Sequence, residues 1–452
     1  MRHTAKHYLF LLLIFSSLSG GLHAGQPWSL QDALGLPEWL HLSGEQRTRY
    51  ETLDEQFRAP LEGSDQILAI RTSLHADADL DPFKLTAELL DSRQYLADSG
   101  SSLDTGTVNA FELLQGYLEW DFGPLGAGHH RLRLGRETLD LGSRRLIARN
   151  SFRNTINAFT GIDWHWETEA GTTLHAAWLL PNQRQPDDLS SLLDNDIAFD
   201  DQDFDLQLWT LYASVPLPLS RSHLDLYTFG LHESGNDTRH RQLYTPGFRL
   251  FRTPQTQSFD FEIESIYQLG HSSNIGGPEQ RHRAHFQHLS LGYTFDLPTH
   301  PNLHLAYDYA SGDHSPGDGT DNRFDTLYGA RRFEYGPTDL YGAIARSNLS
   351  SPEIRLALKP SPTTEFTIAH RGIWLASNSD AWTSAGVRDR SGRSGNYVGQ
   401  QVEAKLRWDC LPKNLRLELG IAHLFPGSYL EKAPQAHSAD STFSYLEMTW
   451  FF

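Results

Sequence analysis

Ser441–Phe452, STFSYLEMTWFF, closes the chain with a strict two-residue rhythm. Leu446, Met448, Trp450 and Phe452 fall on one side, and Tyr445, Glu447 and Thr449 on the other. Chain ends of soluble domains usually fray. A final segment that stays apolar on one face to its last aromatic needs a surface on which to lay that face, and the rest of the chain indicates which.

The same rhythm recurs throughout. Ile67–Asp79 sets Leu68, Ile70, Leu74, Ala76 and Ala78 against Arg71, Ser73, His75 and Asp77. Val402, Ala404, Leu406 and Trp408 alternate with Glu403, Lys405 and Arg407, and Leu415, Leu417, Leu419 and Ile421 with Arg416, Glu418 and Gly420. Each run reads as a strand with one apolar and one polar face. Eight short Pro- or Gly-bearing links, such as 80–82, 123–128 and 410–413, take turns with nine longer ones, the longest at 311–351, and together they join eighteen strands. Sixteen is the alternative if 204–215 and 243–252 are not strands. An even set of strands with tight turns at one end and long loops at the other is the pattern of an outer-membrane antiparallel β-barrel. A soluble β-sandwich would also alternate, but its loop lengths need not take turns. Trp120, Phe122, Trp164, Trp166, Trp178, Tyr293, Phe295, Trp374, Trp408 and Trp450 fall near strand ends, where aromatic girdles belong. The last strand then pairs with the first, near 39–51, because an open sheet edge is not tolerated in hydrocarbon.

The beginning of the chain agrees. Arg2 and Lys6 precede the apolar run Tyr8–Phe15, and small residues lead to Ala24, so residues 1–24 read as a signal peptide and 25–452 as the barrel domain. The apolar run is too short for a spanning helix, and none occurs later. No Cys follows the cut, which excludes a lipoprotein, and the single Cys410 leaves no internal disulfide. Mean hydropathy is −0.47 and net charge −18. That balance argues against nucleic acid as a partner.

Eighteen strands enclose more space than side chains fill, so a channel or a plugged pore is expected. Parity turns Arg47, Arg49, Arg71, Arg131, Arg133, Arg355, Arg371, Lys405, Arg407 and Arg416 inward, with Glu45, Glu88, Glu119, Asp163, Asp260, Glu262, Glu264, Glu403 and Glu418 among them. Guanidinium pairs bidentately with carboxylate, and a wall rich in it suits an anion path. Taken singly, each Arg is better read as the partner of a neighbouring acid; only the cluster points to transport. Residues 187–205 hold eight Asp, read as a solvated outer loop with a cation site as the alternative. Ser311–Phe324 carries Asp313, Asp318 and Asp321 among glycines, as calcium loops do, but without EF-hand spacing, so a Gly-rich outer turn is the reading and a calcium loop the alternative. No metal or other cofactor is expected.

Several stretches resemble the alginate export family of outer-membrane barrels, in the same order from about residue 40 to the end. They are RLRLGRETLDLGSRR (Arg131–Arg145), the Ala310–Tyr328 loop, ARSNL (Ala345–Leu349), YVGQQVEAKLRW (Tyr397–Trp408) and NLRLELGIAHLFPGSYL (Asn414–Leu430). The resemblance implies an eighteen-stranded barrel whose narrow Arg-lined pore passes an anionic uronate polymer from periplasm to exterior. It places Arg136, after Gly135, on the family's glycine-arginine strand motif, and Arg416 on an arginine of the penultimate strand. Glu137 and Glu418 stand where the best-known member carries Gln and Arg.

The expectation is therefore a passive channel for an anionic sugar or other anionic solute, with Arg47, Arg71, Arg133, Arg136, Arg355, Arg371, Lys405, Arg407 and Arg416 along the pathway. Its partners are outer-membrane lipid and the barrel assembly machinery; whether a periplasmic protein gates it is left open by the sequence. A general uptake porin is the alternative. A lipid-acting outer-membrane hydrolase is disfavoured, because His370 and His423 face outward by parity without a nucleophile motif such as G-x-S-x-G.

Overall fold

The computed structural model describes residues 27–98, 100–235 and 239–452. The expected signal peptide lies outside the described residues. No helix is long and apolar enough to cross a membrane; the chain crosses with strands.

Eighteen of them form one closed antiparallel sheet. In chain order they are β1 (Leu40–Asp54), β2 (Asp65–Leu80), β3 (Phe83–Tyr95), β4 (Asn109–Leu125), β5 (Gly128–Glu137) and β6 (Phe159–Glu167). Next come β7 (Thr173–Pro181), β8 (Leu206–Leu217), β9 (Ser222–Glu233), β10 (His240–Arg252), β11 (Ser258–Ser273) and β12 (Gln280–Thr294). The circle is completed by β13 (Asn302–Ala310), β14 (Leu349–Ser361), β15 (Thr364–Trp374), β16 (Tyr397–Leu411), β17 (Leu415–Pro426) and β18 (Ser441–Phe451). Both stretches whose strand character was least plain, 204–215 and 243–252, fall largely within β8 and β10. A two-residue strand, Thr320–Asp321, lies parallel against β12. Three short α-helices, α1 (Leu30–Leu34), α2 (Leu189–Asp194) and α3 (Arg332–Tyr335), belong to the segments flanking or joining the strands and not to the wall itself.

Closure is direct. β18 pairs with β1 in register Tyr50 with Leu446 and Arg47 with Thr449. Phe452 exchanges both backbone bonds with Gly44, at 2.7 and 3.0 Å. A Cβ at Gly44 would stand 2.5 Å from the Phe452 ring and 2.6 Å from the Ser73 carbonyl, so glycine is what lets the terminal aromatic seat against the first strand. Leu446 and Met448 are exposed on the outer wall, whereas Tyr445 is buried inside. That is the arrangement the closing alternation calls for, with apolar side chains toward lipid.

The periplasmic turns are short, from two residues at 81–82 to seven at 295–301. The opposite connections reach 38 residues at 311–348, but 234–239 and 274–279 have only six. Loop lengths thus alternate less strictly than the sequence suggests, because β9 to β12 run further outward than their apolar pattern does.

The interior is not wholly wet. Loops 55–64, 311–348 and 375–396 fold back and pack Phe57, Tyr341 and Trp382 against Phe443 of β18, with ring centroids 5.5–5.6 Å apart. Trp382 Nε1 donates to the Ala343 carbonyl at 2.9 Å. This dry cluster fastens the outer loops to the wall by the same close packing that stabilises a soluble core.

Candidate translocation pathway

Arginines on the first two strands hold a loop inside the barrel. The link 138–158 enters the lumen, and Arg47 donates to the carbonyls of Ser151 (2.8 Å), Phe152 (3.1 Å) and Arg153 (2.9 Å). Arg71 donates to the Ser151 and Arg153 carbonyls at 2.8 and 2.9 Å and pairs with Glu45 at 2.6 Å. Arg49 adds Glu51 at 2.6 Å and ion-pairs with Asp339 of the 311–348 loop. An inward loop carries backbone carbonyls that water no longer serves, and guanidinium forks satisfy several at once.

The second inward loop, 311–348, carries α3 to the centre. Glu334 is its hub: it accepts from Arg145 Nε at 2.6 Å and ion-pairs with Arg346. Arg145 also ion-pairs with Glu262 and Glu264 of β11. On the facing wall Arg371 reaches Asp308 at 2.9 Å and Glu353 at 3.1 Å, and Arg355 reaches Glu353 at 2.8 Å. His288 Nδ1 stands 2.6 Å from Asp308. His288, Asp308 and Glu334 converge closely enough to hold a metal ion, yet arginines already engage both carboxylates, so their charge is balanced without one. Here every arginine has an acid, as expected for a buried network. Arg145 and Arg346 went unassigned in the sequence because they sit on loops, where strand parity has no bearing.

These two loops separate a pair of chambers. The inner vestibule, about 820 Å³, opens on the periplasmic half. Six expected pathway residues line it: Arg47, Arg71, Arg355, Lys405, Arg407 and Arg416. Arg144, Arg249, Arg252 and Arg332 add to them, against eight acids. Its wall pairs are half-open, with Arg407 to Glu418 at 3.0 Å and Arg416 to Asp409 at 2.7 Å. The outer chamber, about 710 Å³, is lined by Arg153, Arg184, Arg239, Arg241, Arg323 and Arg331 against only Asp321 and Asp325. Asn150 lines both. No residue of this outer set was among the expected ones; five stand on loops and Arg241 just inside the end of β10.

The remaining three expected residues lie elsewhere. Arg371 is buried in the septum network. Arg133 lines a smaller recess with Glu119, Asp163 and a close pair of histidines, His165 and His175. Arg136 corrects the expectation drawn from the glycine-arginine motif: alternation along β5 turns it away from Arg133 and Glu137. It pairs with Glu112 at 2.5 Å and lies within 3.4 Å of Gln202 of the 182–205 loop. The glycine before it has its own reason. Gly135 has φ +134, and a Cβ there would meet the Gly116 carbonyl at 2.3 Å, so only glycine admits this crossing of β4 and β5. On the outer wall His370 bonds Gln400 at 2.8 Å and His423 bonds Thr442 at 2.8 Å, which accounts for both histidines as rim hydrogen-bonders.

A closed eighteen-stranded wall, apolar outside and entered by two inward loops, defines an outer-membrane channel of the porin type. Residues 38–444 match the Alginate export family model, and the chain belongs to that family. Solved structures of similar shape are those of Pseudomonas aeruginosa OccK9 (OpdG), at 16% identity and TM-score 0.59, and OpdK with vanillate, at 12% and 0.59; each match covers 91% of this chain and 98% of the other. OccK3 (OpdO) of the same organism matches at 15% and 0.57 over 91% and 95%. No curated protein sequence matches. Family and fold are those of transport channels of the outer membrane, not of enzymes.

Proposed function

We propose that this channel passes anionic solutes by passive diffusion, a uronate polysaccharide or a smaller acid, with no chemical step. The observation that carries the reading is the excess of cationic over anionic side chains in both chambers, in a chain whose overall charge is −18. Such an interior collects anions from a protein that otherwise repels them. Arg355, Lys405, Arg407 and Arg416 line the periplasmic approach, where half-exposed pairs let a passing carboxylate exchange partners without being trapped. Arg47, Arg71 and Arg371 serve the pathway indirectly, by shaping the septum.

Small-solute uptake is the second reading. It is favoured by the inward 311–348 loop, which narrows the lumen, and by the shape shared with OpdK, whose structure was solved with vanillate. Reversal potentials across a planar bilayer under a salt gradient test the anionic reading, and clear cation selectivity would reject it. Liposome swelling with uronate oligomers beside neutral sugars of equal size then separates polymer passage from small-solute uptake.

A further inference from the structure

The outward-facing arginines at the outer rim of the wall stand in two different settings. Arg93 on β3 and Arg136 on β5 are each held by an acid, Asp91 at 2.9 Å and Glu112 at 2.5 Å. Arg281 and Arg283 on β12 are exposed, and among the described residues neither has a carboxylate within 4.0 Å or a side-chain hydrogen bond. Both lie on the face turned to lipid. Register sets His271 of β11 beside Arg281, Leu269 beside Arg283, Tyr267 beside His285 and Ile263 beside Leu289, and Leu269, Tyr267, Ile263 and Leu289 are all exposed on the outer wall. The acid of the hairpin turn, Glu279, is 72% exposed and pairs with His271 at 4.0 Å. Height along the strand fixes what these arginines meet. Tyr293 and Phe295 mark the inner girdle, their rings 4.9 Å apart. Ten residues at a rise of about 3.4 Å and a tilt of about 40° climb roughly 26 Å, the depth of the apolar band, and that count from Phe295 ends at His285. The His285 ring stacks with Tyr267 and Tyr309, centroids 6.1 and 5.4 Å away, an aromatic level of the kind found where hydrocarbon gives way to headgroups. Arg283 and Arg281 follow roughly 5 and 10 Å higher, at the headgroup layer of the outer leaflet.

We propose that this face of β11 and β12 is a docking surface for the phosphorylated glycolipid that forms the outer leaflet of an outer membrane. Arg281 and Arg283 take its phosphate, while Tyr267, His285 and Tyr309 meet the sugars and the first carbons of the acyl chains. The inference stands on the barrel and its membrane and is independent of what the channel passes. Guanidinium forks grip phosphate bidentately, and two of them spaced two residues apart on one strand, about 7 Å, flank a single headgroup. Charge complementarity selects this occupant. The chain as a whole carries −18 and repels anionic lipid, so an unpaired cationic pair turned toward the bilayer is a local exception that calls for a local anion. Water alone would serve arginines on a loop tip; these two stand directly above exposed leucines and aromatic rings, where a lipid headgroup is the neighbour.

Native mass spectrometry of the detergent-solubilised full chain tests this, with lipid A carrying both phosphates, lipid A stripped of them, and phosphatidylglycerol as probes. Phosphorylated lipid A should be retained at least about tenfold better than either other lipid, the scale of one charge-assisted contact. Arg281→Gln combined with Arg283→Gln should cut that retention at least about tenfold. Arg93→Gln, which removes an outward arginine already paired with Asp91, should leave it unchanged. Because Arg281 and Arg283 face away from the lumen, the double variant should conduct as the wild type does, which separates loss of the lipid from loss of the fold. If it fails to insert, Arg281→Lys with Arg283→Lys, which keeps the charge and loses the fork, takes its place, with reduced retention expected. Equal retention of lipid A and phosphatidylglycerol would overturn the proposal in favour of an unselective anionic annulus, and lipid A held as well by the double variant as by the wild type would overturn the assignment to these arginines.

Discussion

Arg371 and Arg153 carry the same group within one barrel, yet their surroundings differ. Arg371 is enclosed by Asp308 and Glu353 and donates to the Ser351 hydroxyl at 3.1 Å. Arg153 bonds an amide oxygen and has other arginines for neighbours, with Asp104 and Asp339 acting only from beyond ion-pair distance. In the septum, charge is spent on architecture, because a buried ion left alone costs several kcal/mol. In the outer chamber the compensation is weaker: Asp104 favours the charge of Arg153, Arg184 and Arg331, but no carboxylate among the described residues forms an ion pair with any of them. Pairing therefore separates the arginines that build the channel from those available to what passes through it.

The sharpest way to break this comparison is at the hub. Glu334→Gln leaves Arg346 without its acid and Arg145 with only Glu262 and Glu264, and should destabilise the inward loop by about 3–5 kcal/mol. Single-channel conductance should rise at least about twofold as 311–348 loosens, and protease should cut within that loop; unchanged conductance would mean that the network does not hold the septum. A smaller effect concerns the outer rim. Burial first, and then Glu112, push the Asp200 carboxyl up to about 6. An acid raised in the folded state destabilises it while ionised, so the 182–205 loop should tighten as pH falls through about 6 toward 4. Asp200→Asn should abolish that dependence and slow proteolysis of the loop at pH 7 by an amount on the order of 2 kcal/mol. Anion selectivity should also weaken between about 0.1 and 1 M salt, as the screening length falls from roughly 10 to 3 Å; selectivity unchanged over that range would place the deciding charges in contact with the solute. The smallest effect belongs to the half-exposed inner pair. Arg416→Gln, which loses Asp409 and the face of the Phe451 ring, should cost about 1 kcal/mol in thermal unfolding.

Much of the wall was legible because a strand between lipid and lumen imposes a period of two on its side chains. That is why Arg47, Arg71, Arg355, Lys405, Arg407 and Arg416 could be turned inward from the sequence. At Arg136 the same rule, followed along β5, points away from Arg133; it was the glycine-arginine motif, taken without parity, that put the residue on the pathway. Parity says nothing of loops, so Arg145, Arg346 and the outer-chamber arginines had no marker beyond being arginine.

What the amino-acid order determined by itself is the closed barrel, its lipid-facing rows and the seam at Phe452, since alternation is local and each residue's face follows from its neighbour's. Only the tertiary structure decided that loops 138–158 and 311–348 return into the lumen and split it into two chambers. That outcome depends on guanidiniums meeting carbonyls and carboxylates a hundred or more residues away, as Arg47 meets Phe152 and Arg145 meets Glu334, and no local pattern records such a meeting.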